Sequence, residues 1–262
     1  MKKIFPILFI SLFIFSCGDN LTEDVIERYD DGKVKTVNYY KGKRKFNERL
    51  SDLPMVRKRK YYENGQIEKE ENYKDYWKID GTKYSFRVYY TEYYKNGQIK
   101  REGNYKGRDR NRDGKWTSYY ENGQIWFERN YKDGKEDGKK TEYYKNGQIE
   151  SELNYKDGKE DGKWTFYYEN GQIKKEINYK DGKTDGKWTS YYENGQIETE
   201  ENFKDGNKDG KQTSYYENGQ IELDINFKDG MRDGKWTEYY ENGQIELEEN
   251  YKDGRLIETK KY

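Results

Sequence analysis

Paired carboxylates are the chain's most abundant chemical groups, and Glu200-Glu201 is a typical pair. Two acids held close together on one surface do general acid–base work or bind a hard cation. Here they stand next to each other in strand-like sequence, where alternation sends neighbours to opposite faces, and the same positions recur along the chain. They read as solvated strand faces. The acidic runs Asp133-Gly134-Lys135-Glu136-Asp137-Gly138 and Asp157-Gly158-Lys159-Glu160-Asp161-Gly162 offer oxygen ligands at the close sequence spacing a hard cation such as calcium requires, but lysines interrupt them and Asp-Gly is ordinary turn chemistry. The sequence holds no histidine and one cysteine, Cys17. The commonest general base, the commonest transition-metal ligand and a cysteine nucleophile elsewhere are thereby missing. No glycine-rich phosphate loop is present. We expect no catalytic residues, no metal site and no cofactor.

Cys17 lies where chemistry would consume it. Lys2 and Lys3 precede an apolar run from Ile4 to Phe15 that is too short to span a bilayer as a helix. It ends in Ile14-Phe15-Ser16-Cys17, which resembles the bacterial lipobox. That resemblance implies a leader over 1–16, an acylated Cys17 as the mature N-terminus and a short linker over 17–23. It also implies a protein of the cell envelope, held to a membrane and either periplasmic or surface-exposed. Several acyl chains, at about 0.8 kcal/mol per buried methylene, make a durable anchor.

Composition sets the frame for the rest of the chain. Lys plus Arg equals Asp plus Glu at 51 each, so no basic excess points to nucleic acid. Thirty Tyr, ten Phe and six Trp stand beside few aliphatic residues, and amphipathic rings must supply the burial. What organises them is a repeat. Asn-Gly-Gln-Ile begins at Asn64, Asn96, Asn122, Asn146, Asn170, Asn194, Asn218 and Asn242, and from Asn122 onward the spacing is 24 residues. A degenerate copy, Tyr29-Asp30-Asp31-Gly32-Lys33-Val34, lies upstream within 24–60.

One unit runs from Lys187 to Gly210. Asn194-Gly195 between aromatic and β-branched runs signals a hairpin with a two-residue type I′ turn. Asp205 to Gly210, with two Asp-Gly pairs, reads as a longer turn into the next hairpin. A two-residue turn would pair Tyr192 with Ile197 and Ser190 with Thr199. Trp188, Tyr192, Ile197 and Phe203 would then form a packed side, with Tyr191, Gln196, Glu198, Glu200 and Asn202 opposite.

These units resemble MORN repeats of the variant type found in YwqK-like antitoxin family proteins. The resemblance rests on Tyr119-Tyr120, Asn122-Gly123, Tyr131, Asp133-Gly134 and Asp137-Gly138-Lys139 and their counterparts in each copy. It implies an all-β, elongated single-layer antiparallel meander, with eight hairpin repeats over 61–254 and a capping strand over 255–262. In function it implies a non-catalytic scaffold for protein or glycan interaction. The alternative is an antitoxin or immunity-type protein that binds and neutralises a toxin.

Departures from the repeat are the candidate sites. The Trp column reads Trp116, Lys140, Trp164, Trp188, Gln212, Trp236, so that column should be only half buried. Trp126 and Phe127 put two rings where other copies carry Glu-Ser, Lys-Lys or Glu-Thr. Alternation would set Trp126 on the more polar face beside Tyr119. Tyr119, Trp126 and Phe127 are therefore the candidate partner-binding residues, since Trp and Tyr dominate interface hot spots; cross-strand stacking without a partner is the competing reading. A basic stretch, Lys41, Lys43, Arg44, Lys45, Arg49, Arg57, Lys58, Arg59 and Lys60, could rest on anionic lipid or be a solvated loop. An insertion from Tyr76 to Tyr90 is either an extended hairpin or a partner loop.

Overall fold

The structure, a computed structural model, describes residues 21–42, 53–77, 83–107 and 110–262. The leader, Cys17 and the Lys43–Arg49 part of the basic stretch lie outside them. The described residues contain strands and no helix. The chain divides into two compact units, Met1–Gln124 and Ile125–Tyr262.

In the first unit the strands are β1 (Leu21–Arg28), β2 (Val34–Lys41), β3 (Met55–Tyr61), β4 (Ile67–Trp77), β5 (Lys83–Tyr93), β6 (Ile99–Lys106) and β7 (Asn111–Tyr119). Each pairs antiparallel with the next. The insertion is an extended hairpin: β4 and β5 pair from Lys69 opposite Glu92 out to Trp77 opposite Lys83, with one register shift between Asn72 and Tyr73. The degenerate copy forms a hairpin as well, closed by the Gly32 N–H on the Tyr29 carbonyl at 2.9 Å.

The second unit holds β8 (Ile125–Lys132), β9 (Lys135–Glu136), β10 (Gly138–Tyr143), β11 (Ile149–Lys156), β12 (Lys159–Glu160), β13 (Gly162–Tyr167), β14 (Ile173–Lys180) and β15 (Lys183–Tyr191). It continues through β16 (Ile197–Lys204), β17 (Asn207–Lys208), β18 (Gly210–Tyr215), β19 (Ile221–Lys228), β20 (Met231–Tyr239), β21 (Ile245–Lys252) and β22 (Arg255–Lys261). All pairings are antiparallel, between successive strands or, past a two-residue strand, between β8 and β10, β11 and β13, and β16 and β18. Both units are therefore antiparallel meanders of tandem hairpins.

The turn chemistry differs from expectation in an instructive way. At Asn194-Gly195 only the glycine has positive φ, +86°. The Gly195 N–H donates to the Tyr192 carbonyl, and the Tyr192 N–H to the Gln196 carbonyl, both at 2.9 Å. This is the three-residue hairpin loop with a left-handed glycine, not the two-residue type I′ turn. Asn194 keeps out of the left-handed region because its side-chain oxygen accepts the Gln196 N–H at 2.9 Å, a local bond that fixes the loop. The type I′ geometry lies at the other end of the repeat. Asp205 and Gly206 both have positive φ, +50° and +92°, between the paired residues Lys204 and Asn207. The expected longer turn does not exist; Asp209-Gly210 interrupts one strand path as a kink between β17 and β18, with Gly210 at φ +105°.

A bulge follows from the three-residue loop. Ser190 pairs with Thr199 as expected, but Ile197 faces Tyr191 instead of Tyr192, and Glu198 is the extra residue. Ile197 thus leaves the predicted alternation, and the Ile column stays half-buried in every copy of the second unit. Burial lies elsewhere. Leu153, Ile177 and Ile225 are buried, and so is the threonine after each Trp-column position: Thr141, Thr165, Thr189, Thr213 and Thr237. Trp164, Ile177 and Trp188 are cross-strand neighbours on one face. On the other, Thr165, Glu176, Thr189, Glu200, Thr213, Asp224, Thr237 and Glu248 form an unbroken row. Each such pair contributes roughly 0.2 to 1 kcal/mol, so the array is held by many small nearest-neighbour terms.

Two ladders tie repeat to repeat. The second tyrosine of each pair donates its hydroxyl to the carbonyl of the next copy's first tyrosine, as in Tyr144 to Tyr167, Tyr168 to Tyr191, Tyr192 to Tyr215 and Tyr216 to Tyr239, at 2.6–2.7 Å. At the opposite edge the type I′ glycines from Gly158 onward donate to the preceding repeat, as Gly206 does to the Thr184 carbonyl at 2.9 Å.

Candidate functional site

β8 carries the largest departure from the repeat in the second unit. In other copies the residue equivalent to Trp126, Glu198 for one, is the bulge residue, where successive residues do not alternate strictly; at the same place in another copy, Lys174 sits 5.4 Å over the Tyr168 ring. Strict alternation, which set Trp126 on the polar face, is thus broken at the equivalent position of those copies. Trp126 is 47% exposed and meets Phe127 edge to face, with ring centroids 4.8 Å apart.

Beneath the rings the support is charged and closely bonded. The Arg129 guanidinium lies 4.5 Å over Phe127, within cation–π range, and donates to Glu136 at 2.6 Å. Burial works against the charge of Arg129, but Glu136 outweighs it and raises the guanidinium above its ordinary range. Phe127 faces Glu142 across the strand pair. Burial pushes the Glu142 carboxyl up, while Lys140 at 2.7 Å and the Ser151 hydroxyl at 2.9 Å more than offset this and hold it low. An exposed indole on a fixed base loses little side-chain freedom on contact.

Tyr119 belongs to the first unit. Its hydroxyl donates to Glu102 at 2.8 Å, and the Tyr89 hydroxyl takes the other oxygen of that carboxylate at 2.7 Å. Trp126 and Phe127 are thus brought together, while Tyr119 is engaged by a carboxylate of its own unit. Cys17 lies outside the described residues.

The acidic turns have a structural use. Asp185 and Asp209 accept the backbone N–H of Asp205 and Asp229, each at 3.2 Å, linking one turn to the next. Among the described residues no group of three His, Cys, Asp or Glu side chains is placed to hold a metal ion. The Trp column is half-buried at Trp164, Trp188 and Trp236, but Trp116 is only 4% exposed. That ring stacks on Tyr90 at 5.9 Å, meets Tyr105 at 5.0 Å and donates its indole N–H to the Asn104 carbonyl at 2.8 Å.

Two surfaces escaped the sequence reading. Lysines on the threonine–acid face ion-pair in each repeat: Lys139 with Glu152, Lys163 with Glu176, Lys187 with Glu200, Lys211 with Asp224 and Lys235 with Glu248. The signal was a lysine two residues before every threonine of the column. In the first unit the basic stretch is split by β3. Arg57 and Arg59 reach Glu70, and Arg59 lies over the Tyr39 ring at 5.3 Å; Lys58 and Lys60 take the opposite face.

Tandem hairpins whose turns are linked by backbone bonds define a repeat protein, a class that works by presenting surface. The family model described as "MORN repeat variant" matches eight segments, 57–75, 89–106, 112–133, 136–157, 160–181, 184–205, 208–229 and 232–253. The chain belongs to the MORN repeat variant family. No curated protein matches. Among solved structures, the chain is similar to part of the Photorhabdus luminescens Tc holotoxin pore, at 11% identity and TM-score 0.21, covering 89% of this chain and 14% of that one. A protein of unknown function from Bacteroides fragilis shares 13% identity at TM-score 0.15, over 71% of this chain and 94% of its own. The chain spans about one-seventh of the holotoxin chain it matches.

Proposed function

We infer that this protein is a non-catalytic scaffold of the cell envelope, anchored through an acylated Cys17 and presenting its repeat surface to a protein or glycan. The observation that carries the interaction reading is the Trp126–Phe127 pair. It is the one place in the second unit where an exposed indole replaces the charged side chain of other copies, and it rests on a bonded Arg129–Glu136 base. Truncating a hot-spot Trp usually costs about 2 kcal/mol or more, against little for a peripheral contact.

The test is to capture a partner with the chain from Gly18 onward and titrate Trp126→Ala and Glu198→Ala against it. A selective loss at Trp126 supports a local site. Equal small losses, with affinity tracking only repeat number, overturn it in favour of avidity. The anchor is checked separately: Cys17→Ala should leave the membrane fraction on carbonate washing, and retention there refutes acylation.

A further inference from the structure

The first unit contains a hollow that the repeat does not explain. It is about 240 Å³ and is lined by Glu27, Thr36, Lys58, Lys60, Lys69 and Glu71. The register accounts for the convergence. Thr36, Lys60 and Lys69 are cross-strand neighbours on successive strands, and Lys58 faces Glu71 one step along. Like charges opposite one another, as at Lys60 and Lys69, are unfavourable in a sheet, so the arrangement asks for a counter-charge.

The acids near it are already committed. Glu71, with its side chain 8% exposed, is held by Arg87 at 2.8 Å, Lys69 at 3.3 Å and the Tyr73 hydroxyl at 2.8 Å. Glu27 binds Lys35 at 2.6 Å, and Lys60 takes Glu68 at 2.8 Å. Glu92, across from Lys69, is clamped by Lys100 at 3.0 Å and Arg101 at 2.6 Å. Lys58 alone has no ion-pair or hydrogen-bond partner among the described residues, although it is half-buried in the middle of β3. Among the residues that line the hollow, three lysines stand against two carboxylates, Glu27 and Glu71, an excess of one positive charge.

We propose that this hollow is a binding site for a phosphate-type oxyanion, with Lys58 as its principal ligand and Lys60 and Lys69 beside it. Ammonium groups are compact point charges with three donors each, suited to a tetrahedral oxyanion, and the excess positive charge of the lining resides in Lys58, which no acid holds. The site is independent of the Trp126 surface.

The experiment uses the full chain. Inorganic phosphate is titrated at low ionic strength by calorimetry, and the lysine ammonium signals are followed by NMR. In a second arm, vesicles of phosphatidylglycerol are compared with vesicles of phosphatidylcholine. We expect saturable phosphate binding that shifts the Lys58 signal, about tenfold weaker in Lys58→Met, retained in Lys58→Arg and unchanged in Lys95→Met, a lysine on an exposed turn. Thermal unfolding of each variant verifies the fold, and the parent's Lys58 signal reports binding even if Lys58→Met does not fold. Binding in the first arm alone identifies a soluble phosphate ligand; Lys58-dependent binding to phosphatidylglycerol alone identifies a lipid headgroup as the source. Absence of both, or equal binding by Lys58→Met, overturns the proposal.

Discussion

Gly103→Ala tests whether the buried Trp116 is what organises the first unit. Gly103 faces Trp116 across the β6–β7 pair. A Cβ at residue 103 would lie 2.3 Å from the Trp116 Cδ2 and 2.5 Å from its Cγ and Cε2. Ordinary contact begins near 3.4 Å, so the indole would have to retreat by about 1 Å in a packed surround. That movement would strain the 2.8 Å bond to the Asn104 carbonyl and the stack on Tyr90. Overpacking of this kind costs about 1–3 kcal/mol and the lost hydrogen bond about 1 kcal/mol. Together they predict a destabilisation of about 2–4 kcal/mol from a single methyl group. Urea unfolding followed by circular dichroism reads it. A double-mutant cycle with Trp116→Leu isolates the clash, because the smaller side chain leaves room for the methyl and the double variant should lose less than the two single losses combined. If Gly103→Ala is as stable as the parent, or the cycle is additive, the contact does not carry the packing assigned to it.

Three further outcomes follow from the turns, the tyrosine ladder and the buried hydroxyls. Gly206→Val, at φ +92° in the type I′ turn, should lose about 1–2 kcal/mol; parent-like denaturation would mean that the turn is not left-handed there. Tyr192→Phe removes the 2.6 Å bond to the Tyr215 carbonyl and should cost about 1 kcal/mol by the same measurement; an unchanged midpoint would show that the ladder contributes nothing. Burial first, and then the bond to Glu92, pushes the Tyr90 hydroxyl up to about 12 from an ordinary 10.0. Such a group stays protonated in the fold after its unfolded counterpart ionises, so its contribution is intact below pH 10 and is lost as pH rises through 12. A stability profile that stays flat from pH 9 to 12 would contradict this.

Much of the architecture was legible because turn residues and a fixed period are strong local signals. Asn-Gly and Asp-Gly pairs located both ends of the hairpins in the second unit, and Tyr29 to Val34 revealed the degenerate one. What the sequence could not rank was which pair takes which turn. Both favour left-handed backbone, and the choice turned on one side-chain bond, Asn194 to the Gln196 N–H. The resulting bulge is a single-residue event that periodicity averages away, and it moved Ile197 and falls, in other copies, on the residue equivalent to Trp126. Burial of threonine in place of isoleucine follows from that shift and from a register that puts each threonine between carboxylates. The Lys58 hollow was hidden because a run of basic residues reads as one block until a strand divides it between two faces.

The tyrosine hydroxyls that bond to the carbonyl of the following copy bear on how such a gene can change. Each bond joins the same donor and the same acceptor of successive copies, 23 residues apart in the second unit, so removing one whole 24-residue period brings an identical donor to an identical acceptor. Unequal recombination between near-identical coding segments would then lengthen or shorten the protein in complete hairpins, leaving both neighbours correctly joined. A loss of twelve residues would instead bring like ends of the hairpins together and leave a hydroxyl and a carbonyl without partners at the seam.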